Sequence, residues 1–479
     1  MTLKKQAVSG VFWTTIQQFG KQGIAFLTSL ILARLLSPQE FGLIAMISVF
    51  IALGDGVIKS GLTNSLIRSE NLDESDYSTV FYFNLLGSFV VYGILYFSAP
   101  WIANFYNQSQ LTEIIQIYGV IFIVNAFSAV QLARLTKQLD FKTQMIVALP
   151  SIVISSTIGI YMAYNGYGVW SLVWNSLIQS GLSTVQLWYH SKWIPVLKFS
   201  TEKFKYHFNY GFKIMISGII DILFTNIYAI IIGKYFIPAQ VGFYNRASTL
   251  QMFPVINLSM ILSKVSFPLF AKIQNDNEKL KEVYKKLMQM VTFLIAPTLI
   301  FMGVLAEPLF RFLFTEKWLP AVPYFQILCY NGILYPLHSY NLQILNVKGR
   351  SDLFLKLELI KKGLVIIMIL ICFQFGIYGL LIGSSVISTI AFFINNYYSG
   401  RYINYNAFEQ LKDVLPIIVI AVFSGAIIFI LDTYIFKSNL IDFLRLLLNS
   451  LIGLILFIIL SYNLKIQALF EFKNILQRK

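Results

Sequence analysis

The chain has 479 residues, 57% of them hydrophobic and only 12% charged, with 37 Lys and Arg against 22 Asp and Glu. Soluble domains carry about 25% charged residues, so this composition excludes a water-soluble globular protein. It also turns the +15 net charge from a nucleic-acid signal into loop lysines and arginines that orient membrane helices.

The opening "MTLKKQAVSGVFWTTIQQFGKQG" has a basic flank, but Lys21 interrupts it and no short apolar core with a small-residue cleavage site follows. The first helix is therefore expected to be retained. Apolar windows of about 20 residues, the length that crosses a bilayer, follow in order. The first group covers 10–33, 41–60, 79–100, 111–131, 145–163 and 167–189. A second covers 210–233, 241–263, 287–306, 321–345, 358–375 and 377–397, and two more lie at 413–432 and 442–462. The reading is an all-α polytopic membrane protein of about fourteen transmembrane helices. Cys329 and Cys372 both lie in apolar runs, which gives neither a disulfide framework nor a metal or redox site.

Loop charge tests the count. With the N-terminus inside, 29 of the 37 basic residues fall on the cytoplasmic side and five (Arg34, Lys234, Arg311, Lys317 and Lys437) on the other. Lys21, Arg246 and Arg445 fall inside helices. This bias predicts that both termini are cytoplasmic.

"ARLLSPQEFG" at 33–42 has a distorted copy, "GKYFIPAQVG", at 233–242, which places Lys234, Pro238 and Gly242 200 positions after Arg34, Pro38 and Gly42. Gln131 and Asp140 match Gln343 and Asp352 at an offset of 212, and Tyr167-Gly168 match Tyr378-Gly379 at 211. Three anchors in one order indicate a duplication. Each half starts and ends inside, so the repeats are parallel, and the expected plan is two pseudo-symmetric six-helix lobes plus a C-terminal helix pair. The boundaries are 1–205, 206–406 and 407–479.

Two such halves rocking about a central cavity form a transporter plan, with mid-helix polar residues lining the cavity because lipid would penalise them. Helix 1 supplies Thr14, Gln17, Lys21 and Thr28; helix 7 supplies Lys213, Ser217, Asp221 and Thr225 at strict i, i+4 spacing. The 200-residue offset maps Lys21 onto Asp221. Either the two form an interhelical ion pair, or Lys21 attracts an anionic group while Asp221 is its counter-charge or a coupling-ion site. Arg246 either contacts substrate or snorkels to the interface. Asp55 and Lys59 read as a local pair near the inner end of helix 2. Asn125 and Asn226 either line the cavity or bond neighbouring helices, and Glu307 and Arg311 read as interfacial capping.

The stretches "ARLLSPQEFGLIAM", "LGDGVIKSGLTNSLIR", "LARLTKQLDFK", "GYGVWSLV" and "GFYNRASTLQMFPV" resemble the bacterial polysaccharide-export flippases. The nearest branch is the Wzx-type one that includes colanic-acid exporters, in the superfamily that also holds lipid II flippases and multidrug antiporters. The resemblance implies two lobes forming a V, the bacterial inner membrane, and undecaprenyl-diphosphate-linked oligosaccharide moved from the inner to the outer leaflet by alternating access. It implies that Lys21 and Arg246 hold the diphosphate and sugar acids; Gln17 and Asn226 are the further candidates for substrate contact in the cavity, from their polarity within helices. The expected partners are that lipid-linked oligosaccharide, membrane lipids and polysaccharide-assembly proteins, around a monomer with no cofactor and no nucleic acid.

An enzyme of the same pathway would need a catalytic outer surface. Outer connections are short, His190, His207 and His338 are scattered, and no HExxH, Walker A, GxSxG or CxxC pattern is present. The nearer alternative is a cation-coupled multidrug antiporter on the same fold. Such a transporter needs a deep carboxylate, and Asp221 is the only one expected.

Overall fold

The structure is a computed structural model; it describes residues 3–59 and 62–477, with side chains described except at 3–9, 11, 59, 261–265 and 475–477. Every regular element among the described residues is helical. The chain divides into two compact units, Met1–Gly242 and Phe243–Lys479.

The first unit contains α1 (Leu3–Leu35), α2 (Pro38–Lys59), α3 (Leu62–Arg68), α4 (Glu74–Tyr106), α5 (Leu111–Tyr118), α6 (Ile121–Lys137), α7 (Phe141–Tyr164), α8 (Trp170–Ser191), α9 (Thr201–Thr225) and α10 (Ile227–Tyr235). The hairpin between α1 and α2 follows local chemistry. Pro38 stands at the first helical position, where its missing N–H costs nothing. The Ser37 and Glu40 side chains exchange hydrogen bonds with each other's backbone N–H, at 3.4 and 2.6 Å, a capping box that closes the first turn. Asp140 caps α7 through the Thr143 N–H at 3.0 Å, and Ser200 caps α9 through that of Lys203. Within the unit α1 packs on α7, α7 on α8, α6 on α4 and α8, and α9 on α2, α3 and α4.

Asp73 caps α4, accepting from the N–H groups of Ser75 and Asp76 at 2.8 and 3.1 Å, while Asp76 reaches back to the Asp73 N–H at 2.9 Å. Its side-chain bond to Lys203, then the backbone bond from Asp76, hold its carboxyl at about 2, below the ordinary 3.8. A lowered carboxylate stabilises the fold fully above its unfolded value and loses that contribution as pH falls through the folded one. The protection of amides at the start of α4, taken relative to their intrinsic exchange rate at each pH, is therefore expected to fall as pH falls from about 3.8 toward 2, and Asp73→Ala to abolish that step. A step of equal size in the variant would remove Asp73 as its source.

The second unit contains α11 (which begins at Pro238, before the division, and ends at Lys272), α12 (Asn277–Val304), α13 (Ala306–Phe314), α14 (Val322–Val347), α15 (Ser351–Cys372), α16 (Gly376–Ile403), α17 (Ala407–Leu431), α18 (Asp442–Asn463) and α19 (Gln467–Gln477). Here α12 packs on α14 and α17, α14 on α16, α15 on α16, and α17 on α18. Met290 and Phe293 of α12 meet Ile417, Ala421 and Ile428 of α17 and Phe457 of α18 in a buried core.

Among the described residues nine stretches are long and apolar enough to cross a membrane, one of them a 53-residue stretch, Ser351–Ile403, that holds both α15 and α16. The chain is thus an all-helical polytopic membrane protein. α1, α8, α11 and α14 have 33, 22, 35 and 26 residues, long enough for a span. Polar residues lower the mean hydropathy of α1, α8 and α14.

The structure corrects several expected boundaries. The helix expected over 210–233 breaks at Asn226, and the one over 111–131 is divided into α5 and α6. Lys361 and Lys362, counted among the basic residues of the cytoplasmic side, lie ten and eleven residues past the start of α15. Charged residues do not end a helix, because i→i−4 bonding is indifferent to side-chain polarity.

Candidate functional site

α1 turns its small and polar residues toward α7. Gly10 accommodates Phe141, Gly20 accommodates Leu149, and the Gln17 amide reaches the Gln144 carbonyl at 3.4 Å. Thr28 is buried and donates to the Ile24 carbonyl at 2.8 Å. Gln17 is thus partly engaged in helix packing. Thr14 and Lys21 are exposed.

On α9 the expected stripe is a physical feature: Lys213, Ser217, Asp221 and Thr225 are all exposed. The opposite side, with Phe208, Gly211, Phe212 and Met215, faces α2 and α4. A spanning helix cannot present two charges to lipid cheaply; each costs about 2.5–3.5 kcal/mol or more at the bilayer centre. This face therefore requires water or a polar ligand. Lys21 and Asp221 lie on helices with different main packing partners, α7 for α1 and α2, α3 and α4 for α9.

Asn226 sits at the break between α9 and α10, where its side-chain amide donates to the Ile222 carbonyl at 2.8 Å. That local bond replaces helix continuation. Arg246, on α11, is 7% exposed. Its guanidinium lies 5.1 and 5.4 Å from the ring centres of Phe314 and Trp318, so it stacks on aromatic faces instead of snorkelling outward.

Sequence reasoning missed one intramembrane carboxylate. Asp55 reads as a shallow partner of Lys59, whose side chain lies outside the described residues. The structure gives Asp55 a hydrogen bond from the Asn125 amide at 2.9 Å, and Asn125 accepts one from Ser180 at 2.6 Å. Ser180 lies ten residues into the 22-residue α8, so the chain of bonds sits halfway along a span. Asn125 therefore bonds neighbouring helices. The i, i+4 spacing of Asp55 and Lys59 concealed this, since a local pair explains the same letters.

The second unit has a related seam between α14 and α16. Asn331 donates to Ser384 at 3.0 Å, His338 and Ser388 lie 3.1 Å apart, and Tyr330 and Thr389 2.8 Å apart. In the first unit the corresponding helices, α6 and α8, are joined by Asn125 to Ser180 and by Thr184 to the Val124 carbonyl at 3.1 Å. On α15, Lys361 pairs with Glu358. Glu307 and Arg311 form an i, i+4 pair at 2.9 Å that extends to Lys437 and Asp442. Among the described residues no group of three or more His, Cys, Asp or Glu could hold a metal ion.

The sequence motifs also meet one another. A Cβ built on Gly42 would lie 1.8 Å from the Pro238 carbonyl oxygen, and one on Gly242 would lie 2.1 Å from that of Pro38. The two hairpin copies thus touch reciprocally through their glycines. Gly168, in the left-handed region at φ +55°, leaves room for the Glu40 carboxylate, 2.4 Å from where a Cβ would stand. Lys234, the counterpart of Arg34, donates to the Phe105 carbonyl at 2.6 Å.

This helical architecture has relatives in sequence and in structure. A sequence model described as "Polysaccharide biosynthesis protein" matches residues 31–323. The chain belongs to that family. It is 27% identical over 354 residues to the teichuronic acid biosynthesis protein TuaB of Bacillus subtilis (strain 168), covering 74% of this chain and 73% of that one. It is 26% identical over 393 residues to the lipopolysaccharide biosynthesis protein WzxC of Escherichia coli (strain K12), covering 81% and 80%. Among solved structures, lipid II flippase MurJ in an inward closed conformation superposes with TM-score 0.77 at 16% identity over 94% of this chain and 98% of that one. An inward-facing multidrug resistance MATE family transporter superposes with TM-score 0.60, also at 16% identity, over 82% and 98%. The fold is therefore that of MurJ and MATE transporters. The chain is a Wzx-like membrane transporter of polysaccharide biosynthesis, a transporter family and not an enzyme one.

Proposed function

We propose that this protein moves undecaprenyl-diphosphate-linked oligosaccharide from the inner to the outer leaflet of the bacterial cytoplasmic membrane by alternating access. Family membership restricts the function to polysaccharide biosynthesis transport. The observation that carries the reading further is the exposed polar stripe of α9, a water-requiring face on an apolar spanning helix. Fourteen spans follow if α1, α8, α11 and α14 cross beside the apolar helices, arranged as two six-helix lobes, 1–205 and 206–406, with the additional pair in 407–479. The 29 to 5 division of basic residues supports cytoplasmic termini.

In this reading Lys21 attracts the diphosphate and Asp221 is its counter-charge or coupling-ion site. Gln17 and Asn226 border the path beside the bonds they already make. Arg246 is a second cation, which must rotate off Phe314 and Trp318 to meet substrate. A charge-assisted hydrogen bond contributes about 1.5–3 kcal/mol, so Lys21→Ala is expected to reduce export by about tenfold or more. Lys21→Arg should retain most of it. Measured as surface polysaccharide in a complemented deletion strain, at matched protein level, unchanged export in Lys21→Ala would remove Lys21 from the path.

Cation-coupled multidrug antiport is the second reading, and Asp55 favours it: a second deep carboxylate, hydrogen-bonded across helices, is what such coupling needs. Drug sensitivity of the deletion strain separates the two. Sensitivity without loss of polysaccharide supports the antiporter.

A further inference from the structure

The first unit holds a groove of about 310 Å³ between α2, α4 and α9. Its walls are apolar, with Ile58, Leu62, Phe83, Val90, Phe208 and Met215 among them, and among the described residues Asn84 is the one polar side chain in the lining. Asn84 is 3% exposed, and among the described residues its amide nitrogen has no hydrogen-bond partner. A buried donor without an acceptor is costly in hydrocarbon, several kcal/mol where no water can reach it, so the site points to a ligand that supplies an acceptor.

The groove is polarised along its length. Asn84 lies ten residues after Glu74, where α4 begins, and Val91 lies seven residues further on, about 10 Å at 1.5 Å per residue. Donor, then apolar walls, is the order in which a lipid in one leaflet presents ester and chain. We propose that this groove binds one acyl chain of a bilayer phospholipid, its ester carbonyl accepting from the Asn84 amide. An isoprenoid chain has no acceptor along its length and leaves Asn84 unsatisfied. The site lies on the back of α9, opposite Lys213, Ser217, Asp221 and Thr225, and does not depend on the substrate proposed above.

Two substitutions test it. A Cβ added at Gly87 meets nothing within 4 Å, so Gly87→Leu fills the groove without displacing backbone. Asn84→Leu removes the donor and keeps the apolar walls. The protein is placed in nanodiscs containing phosphatidylglycerol with a diazirine on one acyl chain, irradiated, and mapped by peptide mass spectrometry. Labelling is expected at 83–91 and 208–215, falling about fivefold or more in Gly87→Leu and clearly in Asn84→Leu, with thermal midpoints retained. Equal labelling in wild type and both variants overturns the assignment. So does a photoactivatable isoprenyl phosphate that labels these segments in preference to the acyl probe. If Gly87→Leu fails to fold, Asn84→Leu decides the question alone.

Discussion

Gly42→Leu is expected to destabilise the protein by about 3 kcal/mol, the upper end of what overpacking a tight contact costs. The added Cβ would lie 1.8 Å from the Pro238 carbonyl oxygen and 2.5 Å from its carbon. These are backbone atoms in the first turn of α11, so no side-chain rotation can relieve the overlap. Gly242→Leu should behave alike, because its Cβ would meet the Pro38 carbonyl oxygen at 2.1 Å. The two substitutions enter one contact from opposite sides, and once the hairpins are forced apart the second costs less. The double variant should therefore lose less stability than the sum of the singles. Denaturation of the detergent-solubilised protein measures all three. Losses that add, or a Gly42→Leu protein as stable as wild type, would show that the hairpins do not meet in this way.

Arg445→Met is expected to cost about 3–5 kcal/mol, the range for stranding one partner of a buried ion pair. Arg445 is 2% exposed and Asp432 7%. The guanidinium donates to both Asp432 oxygens at 3.0 and 2.7 Å and to Asp442 at 2.8 Å, and Asn449 adds a bond to Asp432 at 3.0 Å. Removing the cation leaves the Asp432 carboxylate buried with one neutral donor. Asp432 stands where the chain leaves α17 in a wider turn over Asp432–Phe436, the kind of bulge that re-aims a side chain. The double replacement Arg445→Met with Asp432→Leu should recover most of the loss, since an apolar pair can replace a buried ionic one. If the double variant is as unstable as the single, the loss comes from packing around Arg445 and not from the stranded charge.

Much of the architecture was readable from local chemistry. Pro38, Gly42 and their copies announced two equivalent hairpins, because proline and glycine restrict the backbone wherever they stand. The i, i+4 spacing of Lys213, Ser217, Asp221 and Thr225 is enough to define one helix face, and the structure leaves that face exposed. The contacts between helices were not readable. Nothing near Asp55 in the sequence names Asn125, 70 residues away, and Lys59 offered a nearer explanation. Arg246 reads as an isolated cation until Phe314 and Trp318, on a different stretch of chain, come under it. The loop-charge count also placed Lys361 and Lys362 outside a helix, since it registers charge and not the continuity of backbone hydrogen bonds.

The central claim is that the cargo is a lipid-linked oligosaccharide crossing between leaflets. The most direct measurement is the leaflet distribution of undecaprenyl-diphosphate-linked oligosaccharide in a deletion strain, read in oriented membrane vesicles with a membrane-impermeant glycosidase. The account predicts accumulation on the cytoplasmic leaflet, reversed by the wild-type chain and not by Lys21→Ala. An unchanged distribution in the deletion strain, with drug sensitivity raised, would contradict it.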